Sequence, residues 1–213
     1  MVAPVGSYRA IVGSQTLELP LVEVDEGVAI ALLITVDQGV RFAERAGREL
    51  AELVAPERPD LVVSVATQGI PIAIEISRAL GVDDYLILQK TPKIHLADAI
   101  GEPLKSITTD TTQRLLLDRE RIGVVEGRRV ALVDDVVSTG GSLRAALALL
   151  RRVGAEPVAI GTLVTESGPW RETLGEDATL VRSLGALPLF RRGSDGHYAE
   201  EWADAAAEVD PQR

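Results

Sequence analysis

Val130-Ala-Leu-Val-Asp134-Asp135-Val136-Val137-Ser138-Thr139-Gly140-Gly141-Ser142-Leu143 is the stretch that decides how the chain is read. Four apolar residues read as a buried strand, two adjacent carboxylates follow, and a turn of small residues opens a helix. Gly140 and Gly141 let that turn aim backbone N–H groups at an anion, because glycine permits φ values and close approaches denied to larger residues. The helix adds the partial positive charge of its N-terminus, and Thr139 and Ser142 carry hydroxyl donors. Asp134 and Asp135 fall where the strand leaves the sheet. Carboxylates there accept hydrogen bonds from a sugar diol and place negative charge near a carbon that turns cationic as a leaving group departs. The string is built for a phosphorylated sugar.

Outward from it, apolar runs rich in β-branched residues alternate with helical periodicity, the pattern of crossover helices covering a parallel sheet. Strands are expected at Leu61–Ala66, Tyr85–Gln89, Val130–Asp134, Val158–Val164 and Leu180–Leu184. Helices are expected at Asp37–Val54, with Val40, Ala43, Gly47, Leu50 and Val54 on one face, and at Gly69–Leu80 and Gly141–Val153. The first 36 residues read as short extended pieces (Tyr8–Val12, Thr16–Val24, Val28–Ile34), a β-rich cap outside the main sheet. Residues 37–193 form the core unit, and 194–213 an acidic exposed helix with a frayed tail. Between Pro92 and Thr112 the apolar period is lost, which marks a long loop acting as a lid.

Rival motifs are missing. A P-loop needs a Gly-Lys pair and a dinucleotide fold needs Gly-x-Gly-x-x-Gly after its first strand; neither occurs. The absence of cysteine removes disulfides, thiolate catalysis and Cys-ligated metals. A net charge of −10 disfavours nonspecific nucleic-acid binding, which rests on Lys and Arg neutralising phosphates. No apolar run approaches the roughly 18 residues of a membrane span, and the opening Met-Val-Ala-Pro-Val-Gly shows no secretory signal, so a cytoplasmic protein is expected. All three lysines, Lys90, Lys93 and Lys105, fall in one short segment of a chain whose other 19 basic residues are arginines. They read as a cationic arm for an anion.

VALVDDVVSTGGSL resembles the signature of type I phosphoribosyltransferases that binds 5-phosphoribosyl-1-pyrophosphate (PRPP). The resemblance implies an α/β fold, a twisted parallel sheet flanked by helices with a flexible hood loop and the small N-terminal cap. It implies that Asp134 and Asp135 hold the ribose hydroxyls while Ser138, Thr139, Gly140, Gly141 and Ser142, entered through Val136 and Val137, hold the 5′-phosphate. Ala66-Thr67-Gln68-Gly69 is similar to the family's pyrophosphate turn, which often contains a cis peptide bond. Lys90-Thr-Pro-Lys93-Ile-His95 resembles the Lys-x-x-Lys-x-His run on the hood of orotate enzymes and equally the Lys-rich hood of xanthine enzymes. Lys90 and Lys93 would then stabilise departing charge, and His95 would donate a proton or a hydrogen bond. Ser106–Gln113 is similar to the returning arm of the hood in purine enzymes.

The same resemblance implies Mg²⁺ held mostly by PRPP itself with Asp134 and Asp135 acting indirectly, a homodimer, and PRPP plus a purine base as substrates. Val137, Glu166 and Trp170 are the candidate walls of the base pocket. Hypoxanthine-guanine enzymes carry an Asp just before the Thr-Gly of the phosphate loop, where this chain has Ser138. That leaves adenine, xanthine and archaeal-type hypoxanthine branches ahead. An orotate-type enzyme and a PRPP-sensing regulator without turnover are the alternatives.

Overall fold

The computed structural model describes residues 3–91, 98–103 and 114–203. The chain opens with an antiparallel meander, β1 (Gly6–Val12), β2 (Gln15–Asp25) and β3 (Val28–Ala31). Then come α1 (Val40–Val54), β4 (Leu61–Val65), α2 (Ile70–Leu80) and β5 (Tyr85–Leu88). A hairpin-like pair, β6 (Ala99–Pro103) and β7 (Arg114–Asp118), precedes the short helix α3 (Ile122–Val125). β8 (Arg129–Val137), α4 (Gly141–Arg152) and β9 (Glu156–Glu166) follow. After α5 (Trp170–Leu174) come β10 (Val181–Ser183), β11 (Ala186–Leu187), β12 (Leu189–Arg192) and β13 (Tyr198–Glu201).

The central sheet has the order β10-β9-β8-β4-β5, with β11 also pairing β9, and every pair in it is parallel. Such a sheet must be covered on both faces, and alternate residues show how it is. Val62, Ala131, Val133, Ala159 and Leu163 pack into one cluster with α1, α2 and the cap. Leu61, Val63, Val65, Val130, Leu132 and Ile160 pack into a second with α4, Leu115 and Leu117 of β7, and Trp170. The period of two along each strand thus divides the core into two halves.

From β4 the chain crosses through α2 outward to β5, whereas from β8, on the other side of β4, it crosses through α4 outward to β9. Strand order reverses between the adjacent strands β4 and β8, so the loops leaving their carboxyl ends splay apart and open a crevice. Both loops singled out in the sequence lie at that point.

Two expectations need correction. The segment after Gly193 is not helical over its described part: Tyr198–Glu201 is a strand that pairs antiparallel with β12, and β12 pairs with β3. The cap is therefore a five-stranded sheet, β1-β2-β3-β12-β13, drawn from both ends of the chain. Phe190 of β12 meets Tyr8 of β1 edge-to-face with ring centroids 5.1 Å apart, which anchors the late strands to the early ones. Val40, expected on the buried face of α1, is 84% exposed. It is the first residue of the helix, and Phe42, Ala43, Ala46, Gly47, Leu50 and Val54 form the packed stripe instead. The lid expected over Pro92–Thr112 contributes β6; residues 92–97 and 104–113 lie outside the described residues.

Candidate phosphoribosyl site

At the switch point lies a cavity of about 280 Å³ lined by Ala66, Thr67, Gln68, Lys90 and the continuous run Asp134–Leu143. The β4 loop forms one wall, the β8 loop the other, and the acid pair the floor.

The phosphate wall is shaped by its glycines. Gly140 has φ 77°, in the left-handed region, and a Cβ there would sit 3.2 Å from both Cα and O of Trp170. Conformation and crowding both demand glycine at this position. α4 begins at the next residue; its N-cap Gly140 offers no side-chain acceptor, and the Gly141 N–H turns to Thr139 Oγ1 at 3.5 Å, which leaves the N–H groups of Ser142 and Leu143 at the start of this 12-residue helix for the cavity. Trp170 is 4% exposed and packs in the second core cluster behind this wall; it does not line the cavity.

Facing it, the Ala66–Thr67 peptide bond is cis. The turn is held by hydrogen bonds from Ala66 N to Leu88 O at 2.9 Å and from Ile70 N to Thr67 O at 3.2 Å. The Gln68 side chain accepts from Val36 N at 3.3 Å, tying the turn to the segment that precedes α1. Gly69 lies beneath the turn, where a Cβ would stand 3.1 Å from Asp134 Oδ1.

Asp134 and Asp135 sit within β8, which runs three residues beyond the expected end at Asp134. Asp134 is 8% exposed and its Oδ1 accepts from the Asp135 N–H at 3.0 Å. Burial raises its pKa well above the ordinary carboxylate range, and the charge of Asp135 and a side-chain hydrogen bond with it push the same way; nearby Lys90 opposes them. On the far side Thr162 of β9, in register with Asp134 and fully buried, donates to Asp135 O at 3.0 Å.

Glu166 closes β9 at 5% exposure, outside the cavity lining. Burial pushes its carboxyl up, and a hydrogen bond with Ser138 pulls partly back. Lys93 and His95 lie outside the described residues. The structure thus brings together Ala66, Thr67, Gln68, Lys90 and the run from Asp134 to Ser142, and leaves Glu166 and Trp170 behind the phosphate wall. Two buried hydroxyls flanking the acid pair, Ser64 and Thr162, were missed. Their signal is a hydroxyl that breaks an apolar run: Ser64 is the one polar residue of Leu61-Val-Val-Ser64-Val, and Thr162 interrupts Ala159-Ile-Gly-Thr162-Leu-Val three residues before a second threonine, Thr165.

The phosphoribosyl transferase domain family model matches residues 37–181, and the chain belongs to that family. Among relatives, an adenine phosphoribosyltransferase of Rhodospirillum centenum is 34% identical over 116 residues, 52% of this chain and 61% of that one. A xanthine phosphoribosyltransferase of Laribacter hongkongensis is 27% identical over 71% of this chain and 80% of its own length. An orotate phosphoribosyltransferase of Caldanaerobacter subterraneus is 29% identical over 59% of this chain and 55% of that one. The chain thus spans somewhat over half of the adenine and orotate relatives. The adenine phosphoribosyltransferase structure from Rhodothermus marinus superposes with a TM-score of 0.57 at 24% identity, covering 69% of this chain and 78% of that one. The orotate phosphoribosyltransferase of Mycobacterium tuberculosis H37Rv gives 0.53 at 20% identity over 84% and 90%. These two likenesses establish the type I phosphoribosyltransferase fold.

Proposed function

We propose that the protein transfers the 5-phosphoribosyl group from PRPP to a purine base, giving a nucleoside 5′-monophosphate and pyrophosphate. The observation that carries this reading is the acid pair at the floor of a cavity whose opposite walls are two anion-suited turns. In this reading the 5′-phosphate takes the N–H groups and hydroxyls of Ser138–Ser142 together with the start of α4. The ribose 2′- and 3′-hydroxyls donate to Asp134 and Asp135, and pyrophosphate rests on the Ala66–Gly69 turn.

Reaction at the anomeric carbon breaks its bond to pyrophosphate as the base nitrogen bonds to it. Lys90, beside the acid pair, offers positive charge toward the departing pyrophosphate, and Lys93 and His95 extend that role on the proposed hood. Two carboxylates without a third acidic or imidazole ligand among the described residues fit a divalent cation held mainly by ligand oxygens rather than by a protein cage. Asp134 and Asp135 would contact Mg²⁺ indirectly, and the ion, when bound, would supply neutralisation of pyrophosphate charge. The protein's own part is to bind, orient and exclude water.

Purine is favoured by the adenine and xanthine names of two relatives. An orotate-type reading is kept by the third relative and by Lys-x-x-Lys-x-His. Incubation with PRPP, Mg²⁺ and, in turn, adenine, hypoxanthine, guanine, xanthine, orotate or uracil tests the proposal. Pyrophosphate release with one purine supports it; release with orotate alone replaces the base, and none with any base favours a PRPP sensor. The proposed assembly is a homodimer, which light scattering of the purified chain checks, and the proposed compartment is the cytoplasm.

A further inference from the structure

Ser64 is the fourth of the five residues of β4, completely buried, and its Oγ has no hydrogen-bond partner among the described residues. Buried hydroxyls are nearly always partnered, and one left alone is a cost to the folded state. Two neighbours show what it sits against. A side chain on Gly69 would collide with Ser64 Oγ and stand 3.1 Å from Asp134 Oδ1, so the hydroxyl and the carboxylate oxygen converge on the same space beneath the β4 turn. Ser64 is also in register with Val133, the residue before Asp134. Asp134 Oδ1 accepts from the Asp135 N–H and keeps acceptor capacity for a second donor, while Ser64 Oγ makes no hydrogen bond to it in the free protein.

We propose that Ser64 is a positioning residue for Asp134: in the ligand-loaded protein its hydroxyl donates to the Asp134 carboxylate and fixes that carboxylate toward the ribose hydroxyls. The inference rests on the phosphoribosyl reading of the site. It explains why an apolar strand carries a hydroxyl that the free protein does not use, and why residue 69 is glycine. Any side chain there would wedge between donor and acceptor.

The opposing effects on stability and binding make it testable with Ser64→Ala, which deletes only the unpartnered oxygen. The free variant should melt at or above the wild-type temperature, since no native hydrogen bond is lost. Calorimetric titration with PRPP in Mg²⁺ buffer should show about tenfold weaker binding, the loss of one hydrogen bond to a charged group. Affinity for inorganic pyrophosphate, which does not touch the ribose site, should stay unchanged. With whichever base supports turnover, KM for PRPP should rise while kcat at saturation is kept. Unchanged PRPP affinity in the variant overturns the proposal. So does a lower melting temperature of the free variant, or an equal loss for pyrophosphate, which would place Ser64 in support of the turn alone. Wild-type protein that binds no PRPP overturns the phosphoribosyl reading itself, and this inference with it.

Discussion

Thr162 reaches across from β9 to hold Asp135: from a fully buried position its one hydroxyl proton is shared between the Asp135 carbonyl oxygen at 3.0 Å and Val164 O at 2.9 Å. The backbone of the acid pair is thereby fixed from the side opposite the cavity turn of β4. Thr162→Val keeps the volume but removes the donor, leaving a carbonyl in the core without this partner. We expect a loss of about 1–3 kcal/mol in urea unfolding together with weaker PRPP binding, both largely restored by Thr162→Ser. A valine variant as stable as wild type would show that the hydroxyl fixes nothing.

Gly140→Ala places a Cβ at positive φ and 3.2 Å from the Trp170 backbone. The strain and the displaced α5 together should cost roughly 1–3 kcal/mol, and PRPP affinity should fall further than stability because the phosphate turn itself is moved. Thermal melts and calorimetry on one preparation check both; an alanine variant with wild-type affinity would mean the turn does not hold phosphate.

Lys90 is exposed and lines the cavity. Lys90→Ala should leave unfolding free energy within about 0.5 kcal/mol of wild type while lowering turnover by about two orders of magnitude, as removal of a group that stabilises developing charge does. Equal losses in folding and turnover would assign the lysine to structure.

Glu166 gives a pH dependence with a defined sign. Its folded pKa is raised, chiefly by burial, so the folded state holds its proton at pH values where the unfolded state has released it. Stability from this group is full below the ordinary carboxyl value and is lost as pH rises through the raised folded value. Glu166→Gln, neutral at every pH and able to keep the contact to Ser138, should match wild type at low pH and become relatively more stable as pH climbs. Urea midpoints of the two proteins between about pH 4 and 8 read the difference; parallel curves would show that the carboxyl is not penalised by burial.

The core was legible because its signals are local. Strands β4, β5, β8 and β9 are apolar runs bounded by turn residues, and the phosphate turn announces itself in a single string from Asp134 to Ser142. The completion of the cap was not, because β12 and β13 are short, half-exposed segments: β12 is a strand by pairing with β3, some 160 residues earlier in the chain, and β13 by pairing in turn with β12. Val40 misled for a related reason: helical periodicity marks a face, but the neighbours decide where along the helix that face begins to be covered. Within the site, the turns and carboxylates could be read from motif chemistry. The buried hydroxyls Ser64 and Thr162 show in the sequence only as polar breaks in apolar runs; their part in the site does not, since their proximity to Asp134 and Asp135 arises only when β4 and β9 are laid against β8.

The central claim is that the junction of β8 and α4 cradles a sugar phosphate by means of its acid pair. Titration calorimetry of PRPP with Mg²⁺ into wild type and into the Asp134→Asn, Asp135→Asn double variant tests it most directly. The account predicts saturable binding to the wild-type protein and none to a variant that remains folded; equal affinity in the two would contradict it.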